Sequence, residues 1–288
     1  MIYIVYTVLL FNLLIIIFKF FEKFKVDNLQ ALIFNYFTAA VCGYLFSDKS
    51  ISFSTIINAQ WIYHAMILGF LFIVIFNFYA FGTQKVGIAV STVANKMSLI
   101  IPVSVVLIMD PGDHLTVLKT IGFVLALIGI YLASTNNGQL SFNKKYLWLI
   151  LLIFIGQGIS DSIFNNSKDY LKQGEDMQFF ITLFTMAGLS GLLILAGKSV
   201  SSFPKLEIKN LIWGIIFGIP NFFSLFYFLE ALKLFKATDN TSIVFPLVSM
   251  GVVISSAIIG ILFYKENLSK GNWLGILFAL ASIAVFSF

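Results

Sequence analysis

A group of polar side chains interrupts the apolar stretch at residues 86–108. The group consists of Ser91, Thr92, Asn95 and Lys96. On a helix that turns about 100° per residue, Ser91 and Asn95 project from the same side, and Thr92 and Lys96 widen this polar arc to roughly 160°. A lysine at the centre of a bilayer costs about 2.5–3.5 kcal/mol. Lys96 is therefore expected to face a water-filled cavity, where its ammonium could bind a carboxylate or phosphate of a solute or change its protonation state.

Lys96 also has interpretations that involve no ligand. It could form a structural ion pair between two helices, with Asp161 as the partner, or its span could be placed wrongly. Pro102, on the same predicted helix, has no N–H and should interrupt the helical hydrogen-bond ladder. That interruption could act as a hinge, or it could simply bend the helix.

A second polar stripe lies in the sixth apolar stretch of the chain. Gln157, Asp161 and Asn165 are spaced four residues apart, so they share one face of a helix. Asp161 could carry a proton or bind the amine of a substrate. It could equally face lipid headgroups near a helix end, and both interpretations stay open.

The elements that must position these side chains are membrane-spanning helices. The chain has 288 residues, of which 59% are hydrophobic and 11% charged, whereas a soluble domain carries about 25% charged residues. Each bilayer crossing needs about 20 apolar residues. The sequence predicts ten such spans, at 2–20, 29–46, 61–81, 86–108, 115–134, 146–165, 177–197, 210–231, 238–263 and 271–288. The expected fold is an all-α integral membrane protein with ten transmembrane helices.

The two halves of the chain resemble each other. At an offset of 149 residues, the matching pairs are Lys19 and Lys168, Lys23 and Lys172, Asp27 and Asp176, Gly69 and Gly218, and Thr92 and Thr241. Near the end of each half the offset is 153, which matches Leu115 with Leu268 and Gly122 with Gly275. The sequence therefore predicts two five-helix repeats, 1–134 and 146–288, joined by a polar linker at 135–145. Because five is odd, the second repeat is inverted, an arrangement typical of secondary transporters.

The repeat extends the candidate site into the second half. Asn12 aligns with Asp161, and Asn240 and Thr241 lie near the start of the ninth predicted span. Asn77 could line the site or join helices by hydrogen bonds. The candidate substrate-binding residues are Lys96, Asn95, Thr92, Ser91, Asp161, Gln157, Asn12, Asn77, Asn240 and Thr241.

The sequence excludes several classes of function. All basic residues are lysines, so arginine-based recognition of nucleic acid is not expected. Cys42 is the single cysteine and the two histidines lack ligand-like spacing, so no metal or other cofactor is expected. Scattered acids and no HExxH-like set argue against an enzyme. No GxxxxGK[ST] loop or nucleotide-binding domain is present, which leaves an ion gradient, such as protons, or solute exchange as the driving force.

The lysines predict an orientation in the membrane. Eleven of those outside the membrane core fall on the side opposite the termini: Lys19, Lys23, Lys25, Lys85, Lys144, Lys145, Lys198, Lys205, Lys209, Lys265 and Lys270. Six fall on the side of the termini: Lys49, Lys119, Lys168, Lys172, Lys233 and Lys236. By the positive-inside rule, both termini should lie outside the cell.

Each half ends in a recurring pattern: a helix, an acidic residue, Leu-Ser/Thr, a glycine and a last apolar span. It reads DHLTVLKTIGFVLALIGIYL at 113–132 and KENLSKGNWLGILFALASIAVF at 265–286. With the duplication, this pattern resembles the drug/metabolite transporter superfamily, in particular its EamA-like ten-helix branch. Asp113, where this branch usually has Glu, and Glu266 are interpreted as structural markers rather than as chemistry. The resemblance implies export of amino acids, other metabolites or drugs, and it implies cytoplasmic termini, contrary to the lysine distribution.

These observations lead to one main functional hypothesis. The chain is expected to be a secondary transporter that exports small polar or zwitterionic metabolites, such as amino acids, by alternating access around a midplane cavity. It is expected in the bacterial inner membrane, coupled to an ion or a second solute. The alternative within transport is efflux of cationic drugs, with Asp161 at the binding centre. Alternatives of another class are a membrane-embedded enzyme or a channel.

Overall fold

The structure of the protein, a computed structural model, is almost entirely helical in its described part. The residues that it describes are 1–47, 53–109, 116–136, 139–140, 142–167, 170–172, 174–197, 206–236 and 244–285. Every apolar stretch predicted from the sequence contains helix in this structure. The predicted all-α class is therefore confirmed.

The described residues of the first half form seven helices. They are α1 (Ile2–Lys23), α2 (Asn28–Leu45), α3 (Phe53–Ile57), α4 (Ile62–Lys85), α5 (Ile88–Met97), α6 (Ile100–Met109) and α7 (Val117–Ser134). In the predicted linker, the two-residue strands β1 (Thr135–Asn136) and β2 (Gln139–Leu140) pair antiparallel, before a 3-10 turn at Lys144–Tyr146. The linker thus holds local structure but no domain.

In the second half, the described ranges contain five helices. They are α8 (Leu147–Ser167), α9 (Asp176–Gly197), α10 (Ile208–Lys236), α11 (Val244–Tyr264) and α12 (Lys270–Val285). In the described part of the chain, eight helical stretches are long and apolar enough to cross a bilayer. The two other predicted spans correspond to α2 and α12. The chain is a multi-pass membrane protein, and crossing by ten helices stays a prediction.

One predicted span, residues 86–108, is divided into α5 and α6. Pro102 has no N–H to donate to the carbonyl of Ser98, four residues earlier. The N–H of Ile101 donates to that carbonyl instead, at 2.9 Å. The helix is therefore interrupted one turn before the proline. Lys96 therefore lies in the last turn of α5, inside the apolar stretch Ile88–Val105 that contains α5 and the first residues of α6.

The described chain forms two compact units, each built from both sequence halves. The first unit contains Met1–Ile16, Phe78–Ile159 and Ser224–Phe288. In this unit α7 packs along α12 at very short distance, since a Cβ atom on Gly129 would lie 2.9 Å from the backbone nitrogen of Ala279. The apolar core beside this helix pair consists of Ala89, Val93, Met97, Ala126, Ala133, Val253, Ala257, Ile276, Ala279 and Ile283. The backbones of α7 and α12 are thus in close contact along this pair.

The second unit contains Ile17–Asn77 and Ser160–Phe223. Here α2 packs along α9, and two glycines of other helices permit close approach to this pair. A Cβ on Gly69 would lie 2.8 Å from the backbone nitrogen of Ala187, and one on Gly218 would lie 2.6 Å from the carbonyl oxygen of Asn35. The α2–α9 pair is therefore the centre of the second unit.

Buried polar side chains join the helix ends of the second unit. The indole Nε1 of Trp61, just before α4, donates to Oε2 of Glu175, just before α9, at 2.9 Å. Asn210, at the start of α10, donates from Nδ2 to Oε1 of Gln30 at 2.8 Å. Its Oδ1 accepts from the backbone N–H of Asp27 at 3.0 Å. The beginnings of α4 and α10 are thus each tied to the beginning of one helix of the central pair.

Candidate functional site

The candidate site begins with α5, whose first turn is capped by a residue that is distant in the sequence. Gly87 precedes α5 with φ 124° and offers no side-chain cap. The carboxylate of Glu266 accepts from the backbone N–H of Ile88 at 2.6 Å and from that of Ala89 at 3.3 Å. A negative charge at a helix N-terminus is favourable, because the free N–H groups carry partial positive charge. Glu266 therefore holds α5 in place, whereas Asp113, its predicted counterpart, lies outside the described residues.

Replacing Glu266 with alanine should lower the free energy of unfolding by about 1–2 kcal/mol, the usual effect of losing a helix cap. Glu266→Gln should have a smaller effect, because it keeps one acceptor oxygen. Thermal unfolding in detergent measures both changes. Glu230→Ala is the control, since Glu230 pairs with Lys233 at the surface, at 3.0 Å, and such pairs contribute about 0–1 kcal/mol. Equal melting temperatures for Glu266→Ala and the unmodified protein would contradict the capping role.

The polar side of α5 makes hydrogen bonds to two other helices of the first unit. The hydroxyl groups of Thr92 and Tyr79, on α4, lie 3.0 Å apart, and both residues are buried. Asn95 donates from Nδ2 to Oε1 of Gln157, on α8, at 3.0 Å. Ser91 is fully buried, and its Oγ has no hydrogen-bond partner among the described residues. The predicted stripe on α5 is thus a buried polar seam between helices.

Lys96 lies in the last turn of α5, next to an aromatic ring of α1. Its Nζ is 4.8 Å from the centroid of the Phe11 ring, a distance at which an ammonium is attracted to the π-face. The last turn of a helix also carries partial negative charge on its free carbonyls. Both effects stabilise a partly buried ammonium. The helix interruption therefore provides part of the environment that Lys96 needs in an apolar chain.

Asn12 follows Phe11 on α1 and connects α1 to α11. The side chain is buried, and its Nδ2 donates to Oγ of Ser255 at 2.6 Å and to the carbonyl of Val8 at 2.7 Å. Its Oδ1 has no hydrogen-bond partner among the described residues. An unpartnered buried acceptor is costly, so this oxygen is suited to receive a donor from a bound molecule.

The other predicted site residues lie elsewhere. Asp161, on α8, and Asn77, on α4, are partly buried residues of the second unit. Asn165, also predicted on the Asp161 stripe, is exposed. Asn240 and Thr241 lie outside the described residues. In the first unit, the structure therefore places Asn95 of α5 against Gln157. It also places Lys96 against Phe11, the residue that precedes Asn12.

Two aromatic residues of the site were missed by the sequence interpretation, namely Phe11 and Tyr79. The chain contains 33 phenylalanines and 11 tyrosines, so neither residue type stands out. Only Tyr79 carried a usable signal, because a buried tyrosine hydroxyl normally needs a hydrogen-bond partner.

The chemistry of the site is that of hydrogen bonding and a single positive charge. Among the described residues, no group of three or more His, Cys, Asp or Glu side chains could hold a metal ion. The ammonium, amide and hydroxyl groups instead match a small polar molecule that carries an acidic group.

Comparisons with known proteins indicate a shared fold and a relative. No family model matches the sequence. A crystal structure of another protein aligns with 99% of this chain and 94% of its own length, with a TM-score of 0.60 and 14% sequence identity, which shows a similar fold only. An uncharacterized protein of Haemophilus influenzae is 30% identical over 267 residues, covering 88% of this chain and 86% of that protein. The chain therefore belongs to the same family as this Haemophilus influenzae protein.

Proposed function

We propose that the chain is a secondary transporter that exports small polar or zwitterionic metabolites, such as amino acids, across the bacterial inner membrane. The observation that carries the proposal is Lys96, a partly buried ammonium at a helix interruption in a chain of apolar helices. Charges inside membrane helices are rare and mark solute or ion pathways. A structural role alone would not require the adjacent seam of amide and hydroxyl groups.

Lys96 and the polar groups of the surrounding helices suit a solute with two ends. The ammonium would bind a carboxylate, since charge-assisted hydrogen bonds are the strongest available to such a site. The Oδ1 of Asn12, which has no hydrogen-bond partner within the described part of the chain, would accept from an amine. Asn95 and Gln157, which now bond each other, supply further donors and acceptors if the seam opens.

Contacts in the second unit support two inverted repeats. Gly69 and Gly218 match at the offset of 149 residues. Positions 35 and 184, occupied by Asn35 and Phe184, correspond at the same offset. Gly69 packs against Leu183 and Ala187 of α9, while Gly218 packs against Asn35 of α2, so each glycine meets the central helix of the opposite half. Trp61 and Asn210 also match at this offset, and each donates a hydrogen bond to a residue at the beginning of the central helix of the opposite half.

The helix pair of the first unit supports the same arrangement. Gly129 contacts Gly275, and Ser282 donates to the carbonyl of Gly122 at 2.8 Å. At the offset of 153 residues, Gly122 matches Gly275 and Gly129 matches Ser282. The contact between Gly129 and Gly275 is therefore the counterpart of the hydrogen bond between Ser282 and Gly122. The pair is antiparallel, as corresponding helices of inverted repeats must be.

This architecture favours transport by alternating access. In inverted-repeat carriers the solute site is near the bilayer midplane, commonly beside interrupted helices, and α5–α6 is such a helix. Coupling would use a proton gradient or exchange for a second solute. We therefore propose membership of the drug/metabolite transporter superfamily, in its EamA-like branch.

Counterflow in proteoliposomes tests the proposal. Vesicles preloaded with an unlabelled amino acid should take up the same labelled amino acid several-fold faster than empty vesicles, because a carrier returns faster when it is loaded. Labelled glucose is the control solute and should show no stimulation. Equal uptake by loaded and empty vesicles would indicate a channel, and chemical conversion of the solute would indicate an enzyme. Either result would contradict the proposal.

A further inference from the structure

Two buried amides join α2 to α10 in the second unit, and we call them the amide pair. Asn221 donates from Nδ2 to Oδ1 of Asn35 at 3.0 Å, and the two residues are 2% and 0% exposed. Asn35 lies near the middle of α2, and Asn221 lies near the middle of α10. The amide pair is therefore distant from the helix ends, where bulk water would be available.

One end of the Asn35 amide has no partner. Its Nδ2 makes no hydrogen bond to any residue that the structure describes. If both amides turned around, Oδ1 of Asn35 would be the bare atom instead, because a single contact cannot satisfy both ends of an amide. A bare amide is especially unfavourable among membrane helices, since the hydrocarbon around them offers neither donors nor acceptors. The Asn35 amide therefore requires a polar partner that the described residues do not supply.

The next residue of α2 also carries a bare polar group. Tyr36 is fully buried, and its hydroxyl has no hydrogen-bond partner among the described residues. Its ring centroid lies 6.2 Å from that of Phe76, on α4, and 6.2 Å from that of Phe184, on α9. A buried tyrosine hydroxyl normally has a partner, and phenyl rings offer none of the usual kind. Two consecutive residues of α2 thus present unsatisfied polar groups inside the second unit.

The matching positions of the other half show that such packing does not require amides. At the offset of 149 residues, Asn35 corresponds to Phe184 and Asn221 corresponds to Phe72. Helices α9 and α4 therefore carry two phenyl rings where α2 and α10 carry the amide pair. The polar character of the pair is thus particular to the α2–α10 interface.

The helix backbones approach each other similarly at the two interfaces. A Cβ atom on Gly218 of α10 would lie 2.6 Å from the carbonyl oxygen of Asn35, and one on Gly69 of α4 would lie 2.9 Å from that of Leu183. An amide side chain is smaller than a phenyl ring. The α2–α10 interface therefore has less side-chain volume at the matching positions without a closer approach of the helices.

We propose that a water molecule is bound between α2 and α10 at the free end of the Asn35 amide. Water is small and is both a donor and an acceptor, so it suits either orientation of that amide. Buried waters commonly satisfy polar groups that lack protein partners. The amide, hydroxyl and phenyl groups around the site are neutral, and a neutral ligand avoids the large cost of burying a charge. This hydration site does not depend on what the protein transports.

Hydroxyl-radical footprinting of the purified full chain tests the site. X-ray pulses split bound water into radicals that oxidise the nearest side chains, which mass spectrometry then identifies. Because a bound water would supply radicals inside the protein, Tyr36 should be oxidised about five times faster than Trp61, after each rate is divided by that of the free amino acid. Trp61 is the control because it is also fully buried, but its indole N–H donates to Glu175 at 2.9 Å. Equal rates for Tyr36 and Trp61 would overturn the proposal.

Replacement of the amide pair tests whether it holds the water. Asn35→Leu with Asn221→Leu keeps similar side-chain shapes, and exchange of both partners for apolar groups is nearly neutral for stability. Oxidation of Tyr36 should then fall to the level of Trp61. Thr38→Val is the matched control, since the Thr38 hydroxyl already donates to the carbonyl of Phe34 at 2.8 Å, and it should leave the oxidation of Tyr36 unchanged.

One result with the double leucine variant would contradict the proposal. Tyr36 oxidised as fast in this variant as in the parent would show that the radicals do not come from a water on the amide pair. The comparison of Tyr36 with Trp61 needs no substitution, so it decides the question even if the double variant does not fold.

Discussion

Replacing Lys96 with methionine should lower solute counterflow by about 10–100-fold. Methionine keeps an unbranched chain of similar length but removes the ammonium. A hydrogen bond to a charged group contributes about 1.5–3 kcal/mol, and each 1.4 kcal/mol corresponds to a factor of ten. The measurement is the initial rate of counterflow of a labelled amino acid in proteoliposomes, at equal amounts of reconstituted protein.

Two further variants make the Lys96 prediction specific. Lys119→Met removes a lysine outside the candidate site and should leave counterflow unchanged. Asp161→Asn separates the two transport hypotheses, because an acidic centre is required for cationic drugs but not for solutes with a carboxylate. Normal amino-acid flux in Lys96→Met would remove Lys96 from the solute site. Loss of flux only in Asp161→Asn would favour the efflux of cations.

Replacing Gly275 with leucine should cause the largest loss of stability expected from a single substitution in this chain. A Cβ atom at Gly275 would overlap the backbone nitrogen of Ala133 and would lie 2.8 Å from the carbonyl oxygen of Gly129. These atoms belong to the backbone of α7 and cannot rotate away, so the two helices would have to separate. Overpacking typically costs about 1–3 kcal/mol, and a clash with fixed backbone atoms should lie at the upper end of that range.

Thermal unfolding in detergent and the yield of monodisperse protein measure this effect. The matched control is Gly197→Leu, since a Cβ at Gly197, the last residue of α9, would meet no atom of the other described residues within 4 Å. That variant should unfold at the temperature of the parent. A melting temperature of Gly275→Leu close to that of Gly197→Leu would show that α7 and α12 are not held in the close contact described.

The helices of this protein could be predicted from its sequence to within a few residues. The span predicted at 177–197 is α9, Asp176–Gly197, and the span at 146–165 is α8, Leu147–Ser167. Such agreement is expected because apolar length is a local property, set by the thickness of the bilayer. Pro102 also predicted an interruption. The structure shows that this interruption lies at Ser98, because the missing N–H of Pro102 leaves the carbonyl of Ser98 without its usual donor.

The candidate site could be predicted only in part. Periodicity put Ser91, Thr92, Asn95 and Lys96 on one helix, because neighbours on a helix are determined by sequence spacing. It could not show that Asn95 bonds to Gln157 rather than to a ligand. It also could not show that α5 would end one residue after Lys96.

What the sequence determined by itself is therefore the membrane class, the helices and the types of polar group that they carry. The tertiary structure decided which groups meet. Glu266 caps α5 across 178 residues, and Phe11 lies against Lys96. Neither partner has a local signal, since a carboxylate fits any helix start and a phenylalanine fits any apolar surface. Many carboxylates and phenylalanines could fill these two roles. The relative directions of the helices and the distances between them decide which one does, and they depend on packing over the whole chain.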